Sequence, residues 1–442
     1  MEKIQISKGL KIKLAGMADT SLTRITPQNT VAVSALDITH IRPKLLVKER
    51  QPVKTGTPLF CDKRDQSIQY VSPATGTIKK IIFGQRRRLL EVVIEFDPQD
   101  SFIAFESFSR SDIDLMQKEQ LIAHLKKGGL WQCFRQFPSK DHADSDHHPP
   151  LIIVSLNGND IFSPYPEILL DNQHDIFEFG LEILKKFTPR IVVQVNESHY
   201  EKLGPIQKWI THTVPDMFPS WDPGVVLYHL KQSADDNLSW CISLDHLMMI
   251  SKFMSTGQYP VEKVITLKKS GSNNAHILTR QGVSIKTIDP MIDSNHMITT
   301  GLFNGRILSQ NDHLGFFENT IHMMPSSQSE LMFGFIRPGI QSHSVSNTFL
   351  SSLRDIDFQL DASLHGEERA CINCGYCESI CPNDIMPHFL MKALASDNIE
   401  EALQLGLLDC CRCGLCSYTC PSKIELTTIF SNAIDTYYKD KA

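Results

Sequence analysis

The sequence holds no uninterrupted apolar run of the roughly 18 residues that a membrane-spanning helix needs. Its opening, MEKIQISKGLKIK, lacks the apolar core of a signal peptide. A soluble, cytoplasmic chain is therefore expected. No basic face is apparent either: the formal net charge is -6, charges of both signs are interspersed, and the few basic clusters, such as Arg86-Arg87-Arg88, are short. Nucleic acid is thus excluded as the expected partner. Neither G-x-G-x-x-G nor G-x-x-x-x-G-K-[ST] occurs, so the usual phosphate-cradling loops are missing.

What the chain does have is cysteine in one place. Of its 12 cysteines, nine fall between Cys371 and Cys420, a crowding suited to metal and to reducing surroundings rather than to disulfides. The first run is Cys371-x2-Cys374-x2-Cys377-x3-Cys381-Pro382, and the second is Cys410-x2-Cys413-x2-Cys416-x3-Cys420-Pro421. Both carry the spacing of bacterial ferredoxins, in which three thiolates grip one cube and the fourth reaches the partner cube. These eight cysteines are the expected cofactor-binding and metal ligands of two [4Fe-4S] clusters. Gly375 and Gly414 hold equivalent places, where a missing side chain would let amides approach the sulfurs. Pro382 and Pro421 are expected in the first turn of a following helix. Two structural zinc sites are the alternative, although zinc ribbons seldom string four cysteines so tightly. Cys411, Cys61, Cys133 and Cys241 stand outside the pattern and are expected as packing residues.

Between the runs the text is helical. Phe389, Leu390, Ala393 and Leu394 form one stripe, Asp397 and Glu400 a capping pair, Ile399, Ala402 and Leu403 a second stripe, and Gly406 a stop. Leu426, Ile429, Phe430, Ala433 and Ile434 repeat the period after the second run. An α-helical ferredoxin domain results, with equivalent cysteines 39 residues apart, from Cys371 to Cys410.

With 442 residues and 41% apolar content, the chain has room for several domains. From Val47 to Phe96, short β-runs broken at Pro52, Gly56 and Pro73 to Gly76 read as a barrel-sandwich hybrid of the biotinyl or lipoyl type. Lys63 lacks the flanking methionines of a cofactor-bearing lysine, which favours a structural domain. A helix is expected from Asp112 to Lys127. The polar stretch Lys140 to His148 reads as a solvated loop, with metal binding by its histidines and aspartates as the alternative. Leu151 to Leu156 and Arg190 to Val195 are buried strands flanking a helix from Asp175 to Lys186, which argues for a parallel, Rossmann-like α/β core. Val264 to Leu267, His276 to Thr279, Ser284 to Ile288 and Gly305 to Leu308 read as strands of a small β-grasp (SLBB-like) domain. The expected fold is thus multidomain α+β and α/β: 1–100 barrel-sandwich, 101–260 α/β, 261–345 β-grasp and 346–442 helical ferredoxin.

Ile6-Ser7-Lys8-Gly9-Leu10, Val71 to Gly76, Gly129-Leu130-Trp131, Asn304-Gly305 within Gly301 to Gly305, and Leu331-Met332-Phe333-Gly334-Phe335 resemble the A-subunit family of the sodium-pumping NADH:quinone reductase across nearly the whole chain. A related family, the C-subunit family of the Rnf electron-transport complex, carries two four-cysteine runs like these. The resemblance implies a peripheral cytoplasmic protein held on the membrane by partner subunits, an oxidoreductase activity completed by those partners, and possible contact with a quinone. The A-subunit family usually lacks the full cysteine set, so this chain exceeds its relatives in ligands. The Rnf family holds FMN over a bare glycine-rich loop. Here the comparable text, Gly128 to Pro138, carries Trp131 and Arg135, which would crowd a flavin; no FMN is expected, and the isolated chain is not expected to turn over NADH. Phe218 to Gly224 departs from the family text, and no quinone contact carries over to it. The rivals are an Rnf-type input subunit that oxidises NADH itself and a non-catalytic assembly protein with structural clusters.

Overall fold

The computed structural model describes the chain except at residues 17, 28, 39, 272–273, 293–294, 327–337, 341–344, 346–348, 355–356, 360–361, 363–366 and 442. Leu331 to Phe335, which helps to carry the family resemblance, lies outside the described residues.

Two small sheets build the barrel-sandwich. One orders Thr30–Ser34, Leu89–Phe96, Gly76–Phe83 and Pro52–Val53; the other orders Pro43–Leu45, Pro58–Asp62 and Gln69–Val71. Val31, Phe60, Tyr70, Ile78 and Ile94 are wholly buried between them, and Phe60 stacks on Tyr70 with ring centres 4.8 Å apart. Lys63 lies exposed just after Pro58–Asp62.

The α/β layer is a seven-stranded sheet whose middle strands, His212–Val214, Ile191–Asn196, Ile152–Ser155 and Trp240–Ser243, run parallel. Alternate residues feed opposite faces. Ile152 and Val154 join the core that holds Phe177, Leu181, Leu247 and Ile250. Ile153 joins Val225, Val226, Ile380 and Leu415 on the other face, which is where the C-terminal domain docks. Helices His174–Leu184 and Leu244–Thr256 cross so closely that a Cβ on Gly180 would sit 2.5 Å from Ser251 Oγ. Glu2–Lys3 adds an edge to this sheet by pairing with His212 and Thr213.

A third sheet orders Ile307–Leu308, His296–Thr299, Thr320–Pro325, Glu262–Lys269, Asn274–Arg280 and Ala18–Arg24. The first 24 residues thus pair with two sheets distant in sequence rather than with the barrel.

Several local expectations need correction. Ser284 to Ile288 is a helical turn, Ile285–Ile288, not a strand, although its β-branched content favours one; Ile285 and Ile288 are buried from that turn. The helix expected over Asp112 to Lys127 is two helices, Arg110–Leu115 and Lys118–Lys127, broken where Met116 and Gln117 turn extended. Ser109 caps the first in a capping box with Asp112. The solvated loop expected over Lys140 to His148 holds only from Asp144 on, where Asp144, Asp146, His147 and His148 are exposed; Asp141–His142 is a strand beside Arg135–Gln136, and both residues are half-buried. Arg64 bridges Asp141 and the wholly buried Asp62, at 2.6 Å to each, while His142 Nε2 lies 3.1 Å from Asp62. Burial opposes ionisation of Asp62, but the bonds from His142 and Arg64 outweigh it and hold its carboxyl well below the usual range.

In the C-terminal domain, Pro382 and Pro421 occupy turns, and the following helices begin at Pro387 and Leu426. Asn398, not Asp397, caps Ile399–Gln404, accepting from the Glu401 amide at 3.2 Å. Phe389 points outward, 45% exposed, and the stripe of that helix is His388, Leu390 and Ala393. The Leu426, Phe430 and Ile434 stripe is buried as expected.

Candidate iron-sulfur site

The two cysteine runs have matching backbones. Asn373 and Arg412 (φ 57° and 58°), Gly375 and Gly414 (77° and 86°), and Asp384 and Lys423 (52° and 58°) all take left-handed conformations at equivalent places. Each glycine precedes a short helix, Tyr376–Ile380 or Leu415–Tyr418. The sequence suggests that these glycines admit an approaching backbone. At Gly375 nothing lies within 4 Å of an added Cβ, so the positive φ is the requirement. At Gly414 crowding adds to it, since a Cβ would meet Phe303 Cβ at 2.6 Å.

Two reciprocal hydrogen bonds tie each run to the other. Asn383, just after Cys381-Pro382, donates to the Asp409 carbonyl at 2.6 Å, next to Cys410. Ser422, just after Cys420-Pro421, donates to the Ala370 carbonyl at 3.0 Å, next to Cys371. The end of each run is thereby pinned beside the start of its partner, and the thiols sort accordingly. One small cavity is lined by Cys371, Cys374, Cys377 and Cys420, and a second by Cys381, Cys410, Cys413 and Cys416. Apolar side chains enclose both, Ile424 and Leu426 around the first and Ile385, Leu415 and Phe430 around the second.

The donor set suits iron-sulfide cubes, which take four soft thiolates in an apolar shell with amides aimed at sulfur. The Asn373 amide donates to Cys371 Sγ at 3.4 Å, and the Arg412 amide is directed likewise at Cys410. His388 Nδ1 lies 4.0 Å from Cys377 Sγ, and Thr427 Oγ1 lies 3.8 Å from Cys416 Sγ. Burial raises the thiols of Cys377 and Cys416, pushes Cys381 up to about 11 and Cys410 up to about 12. Iron loading must therefore displace protons from these thiols. Among the described residues, no group of three or more cysteine, histidine, aspartate or glutamate side chains is gathered tightly enough for a single metal ion.

Sequence reasoning misses a large cavity of about 760 Å³ between the carboxyl ends of the parallel strands, the third sheet and the C-terminal domain. Its lining comes from segments far apart in the chain, including Arg135, Lys140, Ser243, His246, Asn304 and Arg412. Its position at strand carboxyl ends, the usual ligand crevice of open α/β sheets, is the one signal available. Cys133, Cys241 and Cys411 also line it, so these are not merely packing residues of a sealed core. Cys411, Arg412 and Thr427 face both this cavity and the second cysteine cavity, which makes the two neighbours. Lys140 Nζ donates to the Cys411 carbonyl at 3.0 Å. His246 stacks on Phe316 and keeps its Nε2 buried with no hydrogen-bond partner. Within the text comparable to a flavin loop, Trp131 is wholly buried against Phe134, Phe187 and Trp240, whereas Cys133, Arg135 and Phe137 line the large cavity.

The domain order is that of an NqrA-type protein with a dicluster ferredoxin segment behind it. Residues 4–97 match the NqrA N-terminal barrel-sandwich hybrid domain, 116–259 the NqrA second alpha/beta domain and 370–424 a 4Fe-4S dicluster domain. The two NqrA domains together span more than half of the chain, and the chain belongs to that family. Full-length relatives agree. The A subunit of Na(+)-translocating NADH-quinone reductase from Marinomonas sp. (strain MWYL1) is 27% identical over 411 residues, with 92% of each chain covered. Its namesake from Rhodopirellula baltica is 27% identical, covering 92% of this chain and 91% of that one; the one from Neisseria meningitidis serogroup B is 26% identical with 92% of each covered. Among solved structures, an NAD+-reducing [NiFe]-hydrogenase in the air-oxidized state aligns over 49% of this chain and 45% of its own at 10% identity, with a TM-score of 0.32. That likeness is too slight to carry an argument. No described helix is long and apolar enough to cross a membrane.

Proposed function

We propose that the chain serves as the A subunit of a Na+-translocating NADH-quinone reductase and that it carries electrons through two [4Fe-4S] clusters. Cys371, Cys374, Cys377 and Cys420 hold one, and Cys381, Cys410, Cys413 and Cys416 hold the other. The observation that carries this reading is the sorting of the eight cysteines into two fours, each taking three thiols from one run and one from the other. The clusters supply one-electron transfer; the protein supplies thiolates, an apolar shell and hydrogen bonds to sulfur that set the potentials. In this reading the barrel-sandwich (1–100), a Rossmann-like α/β unit (101–260) and an SLBB-like β-grasp unit (261–345) form the docking body for partner subunits on the membrane, with residues 346–442 as the electron-carrying domain. Quinone contact falls to the body or the partners, and no flavin is bound on Gly128 to Pro138, where Trp131 already fills the space.

Anaerobically prepared full chain should contain iron and acid-labile sulfide in equal amounts and, after dithionite reduction, give low-temperature EPR signals of two interacting [4Fe-4S] centres. A folded chain holding zinc without iron would overturn the proposal. A second reading, an NADH-oxidising input subunit of an Rnf-type complex, draws on the large cavity beside the second cysteine set. FMN retained through purification would favour it.

A further inference from the structure

The Arg86-Arg87-Arg88 cluster has no place in electron transfer, yet it belongs to a larger basic surface. From Lys79 to Arg88 the hairpin joining Gly76–Phe83 to Leu89–Phe96 carries Lys79, Lys80, Arg86, Arg87 and Arg88 with no acidic residue between them. All five are exposed. Arg87 and Arg88 line a surface pocket of about 230 Å³ with Arg42 and Lys63 from neighbouring strand ends, and Leu45, Leu89 and Phe83 share its lining. Among the described residues none of these seven cations forms an ion pair or a side-chain hydrogen bond. Nearby carboxylates are engaged elsewhere: Glu91 lies 3.1 Å from His313, and Glu49 accepts from the Ile81 amide at 3.0 Å. In a chain of net charge -6, so many cations gathered without counter-charge point to an anionic partner.

The apolar component selects the kind of partner. Phe83 is 45% exposed at the hairpin end, and Leu36, 44% exposed, follows Ala35, whose amide bonds the Leu90 carbonyl at 2.8 Å beside the same end. Exposed aromatic and aliphatic groups at the same end as unpaired lysine and arginine suit the boundary of an anionic bilayer, where the cations meet phosphates and the apolar groups meet the acyl edge. An acidic protein surface is the rival occupant, and it predicts no binding to vesicles.

We propose that this hairpin end docks the chain directly on anionic lipid, with the Arg42, Lys63, Arg87 and Arg88 pocket taking one lipid phosphate. The contact is independent of iron, so it stands or falls apart from the electron-carrying reading. The test is flotation of the full chain with vesicles of phosphatidylcholine alone or mixed equally with phosphatidylglycerol. Binding to the mixed vesicles only, abolished by about 1 M salt, is expected. R86Q/R87Q/R88Q should weaken it about fivefold for each charge removed, roughly a hundredfold in all. K79Q/K80Q, at exposed positions beside the bulge of Gly76–Phe83, should weaken it by the smaller share of two charges, and F83S should weaken it without changing its salt dependence. Inorganic phosphate that saturates the chain while vesicles fail to bind would reassign the pocket to a soluble anion and overturn the lipid contact. Failure to bind either, as for a surface built for an acidic protein, or unchanged vesicle binding in the folded arginine variant, would overturn it equally.

Discussion

Replacing Cys420 by serine separates the two ways of wiring the second run. If each run served its own cube, Cys420→Ser would damage the same cluster as Cys416→Ser. The cavities require the opposite: Cys420 lies with Cys371, Cys374 and Cys377, and Cys416 lies with Cys381, Cys410 and Cys413. Each variant should lose about half the iron and the magnetic interaction between centres, leaving a single uncoupled reduced signal. The survivors must differ. Only the cluster left in Cys420→Ser neighbours Thr427, whose hydroxyl lies 3.8 Å from Cys416 Sγ. A sulfur hydrogen bond worth about 1 kcal/mol more in the reduced state corresponds to roughly 40 mV. Thr427→Val should therefore lower the potential of the cluster left in Cys420→Ser by roughly that amount and leave the one in Cys416→Ser unmoved. The measurement is EPR-monitored redox titration with iron counting. An equal shift in both backgrounds, or one identical surviving spectrum in both variants, would refute the crossed assignment.

Phe430→Ala empties the wholly buried centre of the last helix and should cost about 3–5 kcal/mol, read as a lower denaturant midpoint by far-UV dichroism. Gly375→Ala should cost about 1 kcal/mol for its positive φ alone, whereas Gly414→Ala adds a clash with Phe303 and should cost clearly more in the same assay. Arg64→Ala leaves Asp62 buried with His142 as its remaining side-chain partner; about 2–4 kcal/mol is expected, below the full value for a buried pair because Arg64 is partly exposed. Asp62 has its folded pKa depressed, so its contribution is present above the unfolded carboxyl value near 4 and is lost as pH falls below it. Melting temperature followed from pH 7 to pH 3 should fall less steeply in Arg64→Ala than in the parent.

The cysteine segment is legible because its spacing is local, and even the placement of each run's fourth thiol beside the other run follows from Cys-x3-Cys-Pro. The reciprocal bonds of Asn383 and Ser422 that enforce the crossing are not, since neither residue type announces a partner across the repeat. The barrel and the parallel strands follow from runs such as Ile152 to Ser155, buried on both faces. Asp141–His142 deceives because the charges that order it, on Asp62 and Arg64, lie some eighty positions earlier and leave no periodic trace. Ile285–Ile288 deceives because side-chain branching outweighs the Ser284 start signal in a stretch too short for periodicity to decide. The large cavity escapes because its walls come from segments that no linear motif joins.

The pairing of Ala18–Arg24 with Asn274–Arg280 sets a schedule for biosynthesis. At ribosomal speeds of about 5–20 residues per second, that early segment waits roughly 13–50 s for its neighbour to emerge. It must spend the interval as an open β-edge. The lone Leu22 within Ser21 to Arg24, beside a terminal arginine, offers a nascent aggregate little apolar surface to grip during that delay.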